Sequence, residues 1–161
     1  MPLDDLIMNQ PSIIPFEPSL SGYFKDLNLD WIRRYFVVEP MDEKMLGDPQ
    51  AYFIDTGGKI FFAKVDDKIA GTFALLKYDD GVCELSKMAV DTRFQGMNIG
   101  NLMMGFCIAE ARSMGVKKLV LYSNTQLTPA IHLYRKYGFA EVLMGNTDYK
   151  RSNIKMELVL R

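Results

Sequence analysis

The middle of the chain joins three closely spaced strand patterns to a helix pattern, and this order limits the folds that it can adopt. Residues 59–65, 68–77 and 81–90 each predict a strand, and the short turn sequences between them predict an antiparallel meander. Residues 98–114 return to helical spacing, and the apolar run 118–122 predicts a buried parallel strand because it is too short for a helix. A helix between strands of one sheet requires a crossover, so we expect a mixed sheet and an α/β or α+β fold.

The segments before this meander predict one more strand and two helices. Residues 12–16 predict a short strand that is closed by prolines. In residues 22–36 aromatic and aliphatic side chains recur at helical spacing, which predicts an amphipathic helix, and we expect a break near Asn28. Residues 40–46 predict a short helical turn.

The C-terminal third predicts a last helix and two strands. Thr128 stands where a helix N-cap is expected and Pro129 at the first helical position, so we expect a helix from here to Gly138. Residues 139–144 and 154–160 predict the closing strands. The expected order is one strand, two helices, three strands, a helix, a strand, a helix and two strands.

Length and composition favour one globular domain and exclude several classes of function. The 161 residues fit a single domain, residues 1–161, and 19 lysines and arginines against 20 aspartates and glutamates give a formal net charge of −1. Without a basic excess we expect no nucleic-acid partner and no binding to an anionic membrane. The two cysteines and one histidine (Cys83, Cys107 and His132) cannot supply a four-ligand zinc site, so we expect neither a metal nor a disulfide framework.

The N-terminus and the hydropathy pattern predict a cytoplasmic protein. The first residues lack the basic start and the apolar run of a secretory signal. No apolar stretch approaches the roughly 18 residues that a membrane-spanning helix requires.

The most informative segment is the turn between the third meander strand and the helix that follows it. The strand is expected to end near Val90 and the helix to begin near Asn98. Main-chain N–H groups at such a helix start have no intrahelical acceptor, and the helix dipole favours negative charge there. Gly96 and Gly100 carry no side chain that would block a pyrophosphate, so residues 95–101 can cradle a diphosphate. Alternatively, both glycines serve only a tight turn and close helix packing.

Two parts of the chain resemble the GNAT superfamily of N-acetyltransferases. The hexapeptide 95–100, QGMNIG, is similar to the acyl-CoA-binding pattern [QR]-x-x-G-x-[GA] of this family, with Asn98 in place of the central glycine. Asparagine keeps its N–H and tolerates unusual backbone angles, so we expect the cradle to be kept. Residues 121–124 and 129–139 resemble the region from the fifth strand to the fourth helix of the family. Residues 27–39 resemble a branch of the family that is sometimes fused to MarR-type regulators.

The resemblance implies a fold and an activity. It implies a central mixed, mostly antiparallel, twisted sheet of six to seven strands flanked by about four helices. It also implies an acetyl-CoA-dependent N-acetyltransferase that moves an acetyl group from the coenzyme A thioester to a primary amine by direct attack in a ternary complex. The expected partner is a small-molecule or peptide amine, and a homodimer through the C-terminal strands is a further expectation. The alternative is a module of the same fold that binds acyl-CoA or senses a metabolite with little turnover.

The same resemblance implies two catalytic residues. Glu84 lies on the strand that leads into the cofactor turn, where a glutamate accepts the proton of the attacking amine, directly or through water. The alternative is an outward-facing strand carboxylate paired with a lysine. Tyr134 stands where the family places the general acid that protonates the leaving thiolate. The alternative is a core tyrosine, because Ala130, Leu133, Tyr134 and Tyr137 form an apolar helical stripe.

Binding residues follow from the resemblance as well. The residues expected to hold acetyl-CoA are Met88, Ala89, Val90, Gln95, Gly96, Met97, Asn98, Ile99, Gly100, Asn101 and Asn124. For the side chains of Met88 and Val90 the alternative is core packing, and for Asn124 it is a turn-forming role. The residues expected to line the acceptor cleft are Trp31, Tyr35 and Glu39, although the aromatic ones also suit a helix face buried in the core. Tyr149, Arg151 and Asn153 lie in a connection that could close over the acceptor.

Overall fold

The computed structural model describes residues 10–79, 81–147 and 149–161. They form a seven-stranded mixed sheet and four α-helices, which confirms the predicted α+β class and the number of strands. The strands are β1 (Pro11–Pro15), β2 (Lys59–Val65), β3 (Lys68–Lys77), β4 (Val82–Val90), β5 (Lys118–Ser123), β6 (Ala140–Val142) and β7 (Ile154–Val159). The α-helices are α1 (Ser21–Tyr35), α2 (Pro40–Gly47), α3 (Ile99–Ser113) and α4 (Thr128–Lys136). Short 3₁₀ turns lie at Pro18–Leu20 and Thr92–Phe94, and a π-helical turn lies at Gln50–Ile54.

The strand order is β1-β2-β3-β4-β5-β7-β6. Neighbouring strands pair antiparallel except β4 and β5, which are parallel and are joined by the crossover through α3. The helices cover both faces. Helices α1 and α2 pack on one face, around Phe24, Ile32 and Leu46. On the other face α3 packs around Met103 and Cys107, and α4 adds partly buried side chains to the same core.

The parallel pair β4–β5 is short, and this opens the sheet. Pairing joins Val82, Cys83 and Glu84 of β4 to residues 118–120 of β5, and the two strands separate beyond Glu84. A ligand can therefore enter between the carboxyl ends of the two strands, which is a common place for binding sites in such sheets.

A β-bulge interrupts β4 just after this point. Thr72 and Ala74 of β3 face Ala89 and Ser86, so one residue of β3 opposes two residues of β4. Lys87, inside the bulge, has φ of +57°, a left-handed conformation that is uncommon for a residue with a side chain. A bulge of this kind redirects side chains, and here it changes the face on which Lys87 lies.

Three local predictions are wrong. Helix α1 is continuous at Asn28, because the buried side chain of Asn28 donates to the Phe24 carbonyl at 2.9 Å and accepts from Trp31 Nε1 at 3.2 Å. Thr128 does not cap α4: Leu127 is the N-cap, and no side chain supplies the cap hydrogen bond. The strand predicted at 139–144 is limited to β6.

Candidate active site

A cavity of about 340 Å³ lies where β4 and β5 separate. Its wall consists of the second half of β4, the end of β5, the C-terminal end of α1 and the first turns of α4. The structure brings ten of the predicted site residues to this wall: Trp31, Tyr35, Glu84, Met88, Ala89, Val90, Gln95, Gly100, Asn124 and Tyr134. Lys87, Tyr149 and Arg151 also line it.

Glu84 and Tyr134 reach this cavity from opposite faces of the sheet. Cys83 and Leu85, the neighbours of Glu84 on β4, belong to the core under α3. Because side chains alternate between faces, Glu84 lies on the face that α1 and α2 cover. Tyr134 lies on α4 and packs against the opposite core. The two side chains can line one cavity because the sheet is open between β4 and β5.

The Glu84 carboxylate is buried and held by a tyrosine. Glu84 is only 6% exposed, and its Oε1 accepts a short hydrogen bond from the Tyr78 hydroxyl. The side chain is therefore not the outward-facing strand carboxylate that the sequence left as an alternative. A buried carboxylate that lines a ligand-sized cavity is a candidate general base.

The Tyr134 hydroxyl keeps its proton over the physiological pH range. Burial raises the pKa of Tyr134 to about 12, although a hydrogen bond with the Ser123 side chain lowers it in part. The ring also packs near Phe139, with 6.0 Å between ring centroids. Tyr134 is thus both a member of the apolar stripe and a residue of the cavity wall.

The turn before α3 has the backbone conformation of an anion cradle. Asn98 is the N-cap of α3 and has φ of +64°, which is the left-handed conformation that asparagine tolerates better than most residues. Gly96 has φ of +86°, which only glycine adopts without strain. The amides of residues 99–101 form the first turn of α3 and have no intrahelical acceptors. This donor set fits a diphosphate.

About half of the residues predicted to hold the cofactor lie outside the cavity wall. Of the residues predicted to hold the cofactor, five are outside the lining of this cavity: Gly96, Met97, Asn98, Ile99 and Asn101. Ile99 is buried in the core, and Asn101 Oδ1 accepts from Lys136 Nζ at 2.7 Å. At Gly100 an added Cβ would lie 3.3 Å from Leu133 Cδ2, so a side chain there would crowd both α4 and the cavity.

Asn124 lines the cavity, but its side chain has partners within the chain. Its Nδ2 donates to the Arg151 carbonyl at 2.7 Å, and its Oδ1 accepts from the Gln126 amide at 2.9 Å. This is the turn-forming role that the sequence left open, in place of a direct hydrogen bond to the cofactor.

Of the three residues predicted to line the acceptor cleft, Glu39 has a different role. Trp31 and Tyr35 line the cavity, whereas the Glu39 carboxylate accepts from the amide of Lys150 at 2.9 Å and from Nη1 of Arg151 at 3.2 Å. Glu39 therefore ties the start of α2 to the connection between β6 and β7.

A buried ion-pair cluster forms the wall beside Glu84. Lys87 Nζ lies 3.0 Å from Asp42 Oδ1, and the two side chains are 3% and 0% exposed. Lys87 Nζ also donates to the Tyr149 hydroxyl at 2.9 Å. The guanidinium of Arg151 binds both oxygens of Asp42 at 2.7 Å. Helix α2, the β4 bulge and the connection before β7 are held together by this cluster.

The protonation states in this cluster follow from burial and charge. Burial by itself would raise the pKa of Asp42, but the hydrogen bond from Arg151 and the charge of Lys87 outweigh it and lower the pKa to about 2. Burial lowers the pKa of Lys87, and Asp42 offsets part of this effect. Asp42 is therefore firmly ionised at neutral pH.

A second, polar cavity of about 270 Å³ adjoins the first. Its lining residues are Tyr78, Glu84, Tyr122, Asn146, Thr147 and Tyr149. Glu84, Tyr122 and Tyr149 also line the main cavity and so form the partition between the two. Sequence reasoning named none of Tyr78, Tyr122, Lys87 and Asp42 as site residues. Tyr78 and Tyr122 are not part of any recognisable motif. Asp42 looks like an ordinary acidic residue in the first turn of a helix, and the bulge at Lys87 has no clear sequence signal.

Two further features of the described residues bear on function. No helix among them is long and apolar enough to cross a bilayer. They also contain no group of three or more histidine, cysteine, aspartate or glutamate side chains that could hold a metal ion.

Known proteins share this fold and parts of this sequence. The mycothiol acetyltransferase of Cellulomonas flavigena is 34% identical over 59 residues, which cover 37% of this chain and 17% of that protein. The chain spans less than half the length of each of three such curated relatives.

Solved structures agree over nearly the whole chain. An acetyltransferase of the GNAT family from Staphylococcus aureus superposes with a TM-score of 0.86 at 19% identity, covering 94% of this chain and 100% of that one. A protein from Salmonella typhimurium, described as an acetyltransferase and solved with its cofactor acetyl-CoA, superposes with a TM-score of 0.74 at 17% identity, covering 95% of each chain. At these identities the likeness shows the fold.

The sequence itself decides the family. The model of the acetyltransferase (GNAT) family matches residues 24–139, a range that includes most of α1, the meander, the turn before α3 and Tyr134. The resemblance predicted from the two motifs is thereby confirmed at the level of the family. With its fold, its open β4–β5 pair and this match, the chain belongs to the acetyltransferase (GNAT) family, whose enzymes are N-acetyltransferases that use acetyl-CoA.

Proposed function

We propose that the chain transfers the acetyl group of acetyl-CoA to a primary amine by direct attack in a ternary complex. The observation that carries the proposal is the placement of Glu84 and Tyr134 on opposite sides of one cavity, at the opening between β4 and β5. A proton acceptor and a proton donor on either side of the reaction centre are what amide formation from an ammonium ion and a thioester requires. We further propose that residues 1–161 act as one domain with a small-molecule or peptide amine as acceptor.

The cofactor would be held by the turn before α3 and by the main chain of β4. The N–H groups of residues 98–101, together with Gly96 and Gln95, suit the diphosphate, and residues 88–90 line the inner cavity where the thioester end belongs. Bound acetyl-CoA supplies an activated acetyl group on a thiol leaving group.

Glu84 acts on the amine. An alkylammonium ion has a pKa of about 10, so most of the acceptor is protonated at neutral pH and cannot attack. The buried carboxylate of Glu84, fixed by Tyr78, takes a proton from the amine nitrogen.

Tyr134 acts on the leaving sulfur. Its hydroxyl holds a proton at every physiological pH, because burial raises the pKa of Tyr134 to about 12. We assign it the protonation of the leaving sulfur.

The same raised pKa supports the second candidate, a module that binds acyl-CoA with little turnover. A phenol with a pKa of about 12 is a weaker acid than a thiol of pKa about 8.5, so complete proton transfer to the sulfur is uphill. Measurement of turnover separates the two candidates.

The decisive experiment compares Tyr134→Phe with Tyr23→Phe. Tyr23 lies on α1, is 52% exposed and is outside both cavity linings among the described residues, so it controls for loss of a tyrosine hydroxyl. We expect Tyr134→Phe to lower kcat by roughly 10²-fold or more with the calorimetric Kd for acetyl-CoA unchanged, and Tyr23→Phe to keep wild-type kcat. Undiminished kcat in Tyr134→Phe would remove the assigned role. Binding of acetyl-CoA without release of coenzyme A over a panel of amines would establish the binding module.

Three finer statements stay predictions. No relative reported above is named as a fusion to a MarR-type regulator, so the resemblance of residues 27–39 to that branch rests on the sequence alone. A homodimer through the C-terminal strands and a cytoplasmic location are likewise predicted from the sequence alone.

A further inference from the structure

We infer that the acceptor amine reaches Glu84 through the second cavity, and that the acceptors are cationic amines with no carboxylate on the carbon that bears the amine. The inference deepens the proposed function and rests on it, because it names the class of acceptor for the same acetyl transfer. It starts from the three side chains that form the partition between the two cavities, Glu84, Tyr122 and Tyr149.

The second cavity suits a small cation. Among the described residues that line it, the charged side chain is Glu84, and the others carry hydroxyl, amide and aromatic groups. Tyrosine rings attract cations through their faces, and hydroxyl and amide oxygens accept hydrogen bonds from N–H groups. The volume of about 270 Å³ is enough for an aminoalkyl group and its hydration.

A carboxylate on the acceptor would be repelled in the second cavity. Three cations line the adjoining main cavity. Lys87 and Arg151 are both bound to Asp42, and Arg151 is also bound to Glu39. The third, Arg34, is paired with Asp30 on the surface of α1. The buried cluster around Asp42 is therefore balanced in charge, with two cations and two anions. A carboxylate placed beside the amine would lie close to the Glu84 carboxylate in a buried site, where like charges repel strongly.

Lys155, a cation on β7 beside β5, has a carboxylate partner as well. Lys155 Nζ lies 5.7 Å from the centroid of the Tyr122 ring and 3.8 Å from Glu157 Oε1. Lys155 supports the ring of Tyr122 from a position outside the lining of the second cavity. Among the described residues, the polarity of the second cavity is consequently set by Glu84 and the neutral polar groups.

Entry from this side also fits the chemistry. Glu84 lies on the face of the sheet that α1 and α2 cover, whereas Tyr134 and the start of α3 lie on the other face. During transfer a carbon–nitrogen bond forms and the carbon–sulfur bond breaks. The ammonium ion gives up two protons: one passes to Glu84 and then to solvent, and the other ends on the thiol. An amine that arrives through the second cavity meets the proton acceptor before it meets the acetyl group.

The test uses pairs of acceptors that differ by one carboxylate. Tyramine and tyrosine form one pair and agmatine and arginine the other, and each is assayed with saturating acetyl-CoA by coenzyme A release and by mass of the acetylated product. We expect kcat/KM for the member without the carboxylate to be higher by about tenfold or more in both pairs.

A matched pair of variants tests the position. Asn146→Arg adds a cation at an exposed lining residue of the second cavity, and Ser19→Arg adds the same charge at an exposed residue outside both linings. We expect Asn146→Arg to shift the tyramine-to-tyrosine ratio of kcat/KM toward tyrosine by about tenfold, and Ser19→Arg to leave the ratio unchanged.

The outcomes separate this inference from the proposed function. Equal or better acetylation of tyrosine and arginine by the wild type, or the same ratio in Asn146→Arg and Ser19→Arg, would overturn the inference while the acetyltransferase activity stands. If acetyl-CoA binds and neither these four amines nor the wider panel of amines is acetylated, the proposed function fails. In that case, calorimetry on the coenzyme A complex tests the inferred class of amine ligand. Tighter binding of tyramine than of tyrosine supports the inferred class, and equal or weaker binding of tyramine overturns it.

Discussion

Lys87 and Asp42 form an ion pair that is almost completely removed from water. Their charged atoms are 3.0 Å apart, the side chains are 3% and 0% exposed, and Arg151 closes the pair from the other side of Asp42. A buried pair of this kind is costly to break, since removal of one partner leaves the other charge unpaired in a region of low dielectric constant. The wall of the active-site cavity between α2 and β4 therefore depends on Asp42.

Asp42→Asn is expected to destabilise the protein strongly. The variant keeps the size of the side chain but leaves Lys87 and Arg151 without their shared anion, for a loss of about 3–5 kcal/mol in the free energy of unfolding. Urea denaturation measures the loss. Asp30→Asn is the matched control, because Asp30 pairs with Arg34 on the exposed surface of α1, and a loss of less than about 1 kcal/mol is expected there. Equal effects of the two variants would show that the buried pair is no stronger than a surface pair.

The same pair predicts a specific loss of stability in acid. Because the pKa of Asp42 is lowered to about 2 in the folded protein, the folded state binds this proton less readily than the unfolded chain, in which the pKa is about 3.8. The resulting stabilisation is complete above about pH 5 and is lost as the pH falls through about 2, for a total of about 2 kcal/mol. Unfolding free energies of wild type and Asp42→Asn, measured from pH 7 to pH 2, should converge by this amount. Parallel curves would contradict the lowered pKa.

How much of the molecule the sequence could predict depends on whether local patterns decide the structure. The bounds 59–65 and 68–77 coincide with β2 and β3, because the Asp66-Asp67 turn interrupts two runs of clear β-type residues. Asn28 misled the prediction for α1, since its polar groups are satisfied by a carbonyl and a tryptophan on the same helix, which no sequence pattern reveals.

In the candidate active site, the β4 bulge limits how well the sequence predicts which face each side chain lies on. Strict alternation along β4 would place Lys87 on the face of Cys83 and Leu85, away from Asp42. With the bulge, Met88 and Val90 pack against the core under α3 instead, and Lys87 lies toward α2. The motif-based residues of the cavity wall could be found, whereas the cluster that supports them depends on contacts between residues 45 to 109 positions apart.

Tyr78 is expected to position the Glu84 carboxylate. Removal of its hydroxyl by Tyr78→Phe takes away a hydrogen bond to a charged group, which is typically worth about 1.5–3 kcal/mol and corresponds to roughly a ten- to hundredfold decrease in kcat. The calorimetric Kd for acetyl-CoA should stay at the wild-type value, because Tyr78 lines the second cavity and is outside the lining of the main cavity, to which Gln95 and Gly100 belong. If Tyr78 has only a structural role, Tyr78→Phe will lower the thermal stability and keep kcat near that of Tyr23→Phe.

The left-handed conformation of Asn98 gives the last prediction, which concerns the cofactor cradle. Asn98→Gly can keep φ near +64° without strain, so the Kd for acetyl-CoA should change by no more than about twofold. Asn98→Ala must pay about 1–2 kcal/mol to hold the same conformation, and we expect acetyl-CoA to bind about tenfold more weakly as the turn relaxes. Asp66→Ala is the control, because Asp66 has φ of +53° in the exposed turn between β2 and β3 and should show a similar loss of stability with unchanged binding. If Asn98→Ala loses stability as Asp66→Ala does and still binds acetyl-CoA with wild-type affinity, the main-chain donors at the start of α3 do not depend on this conformation.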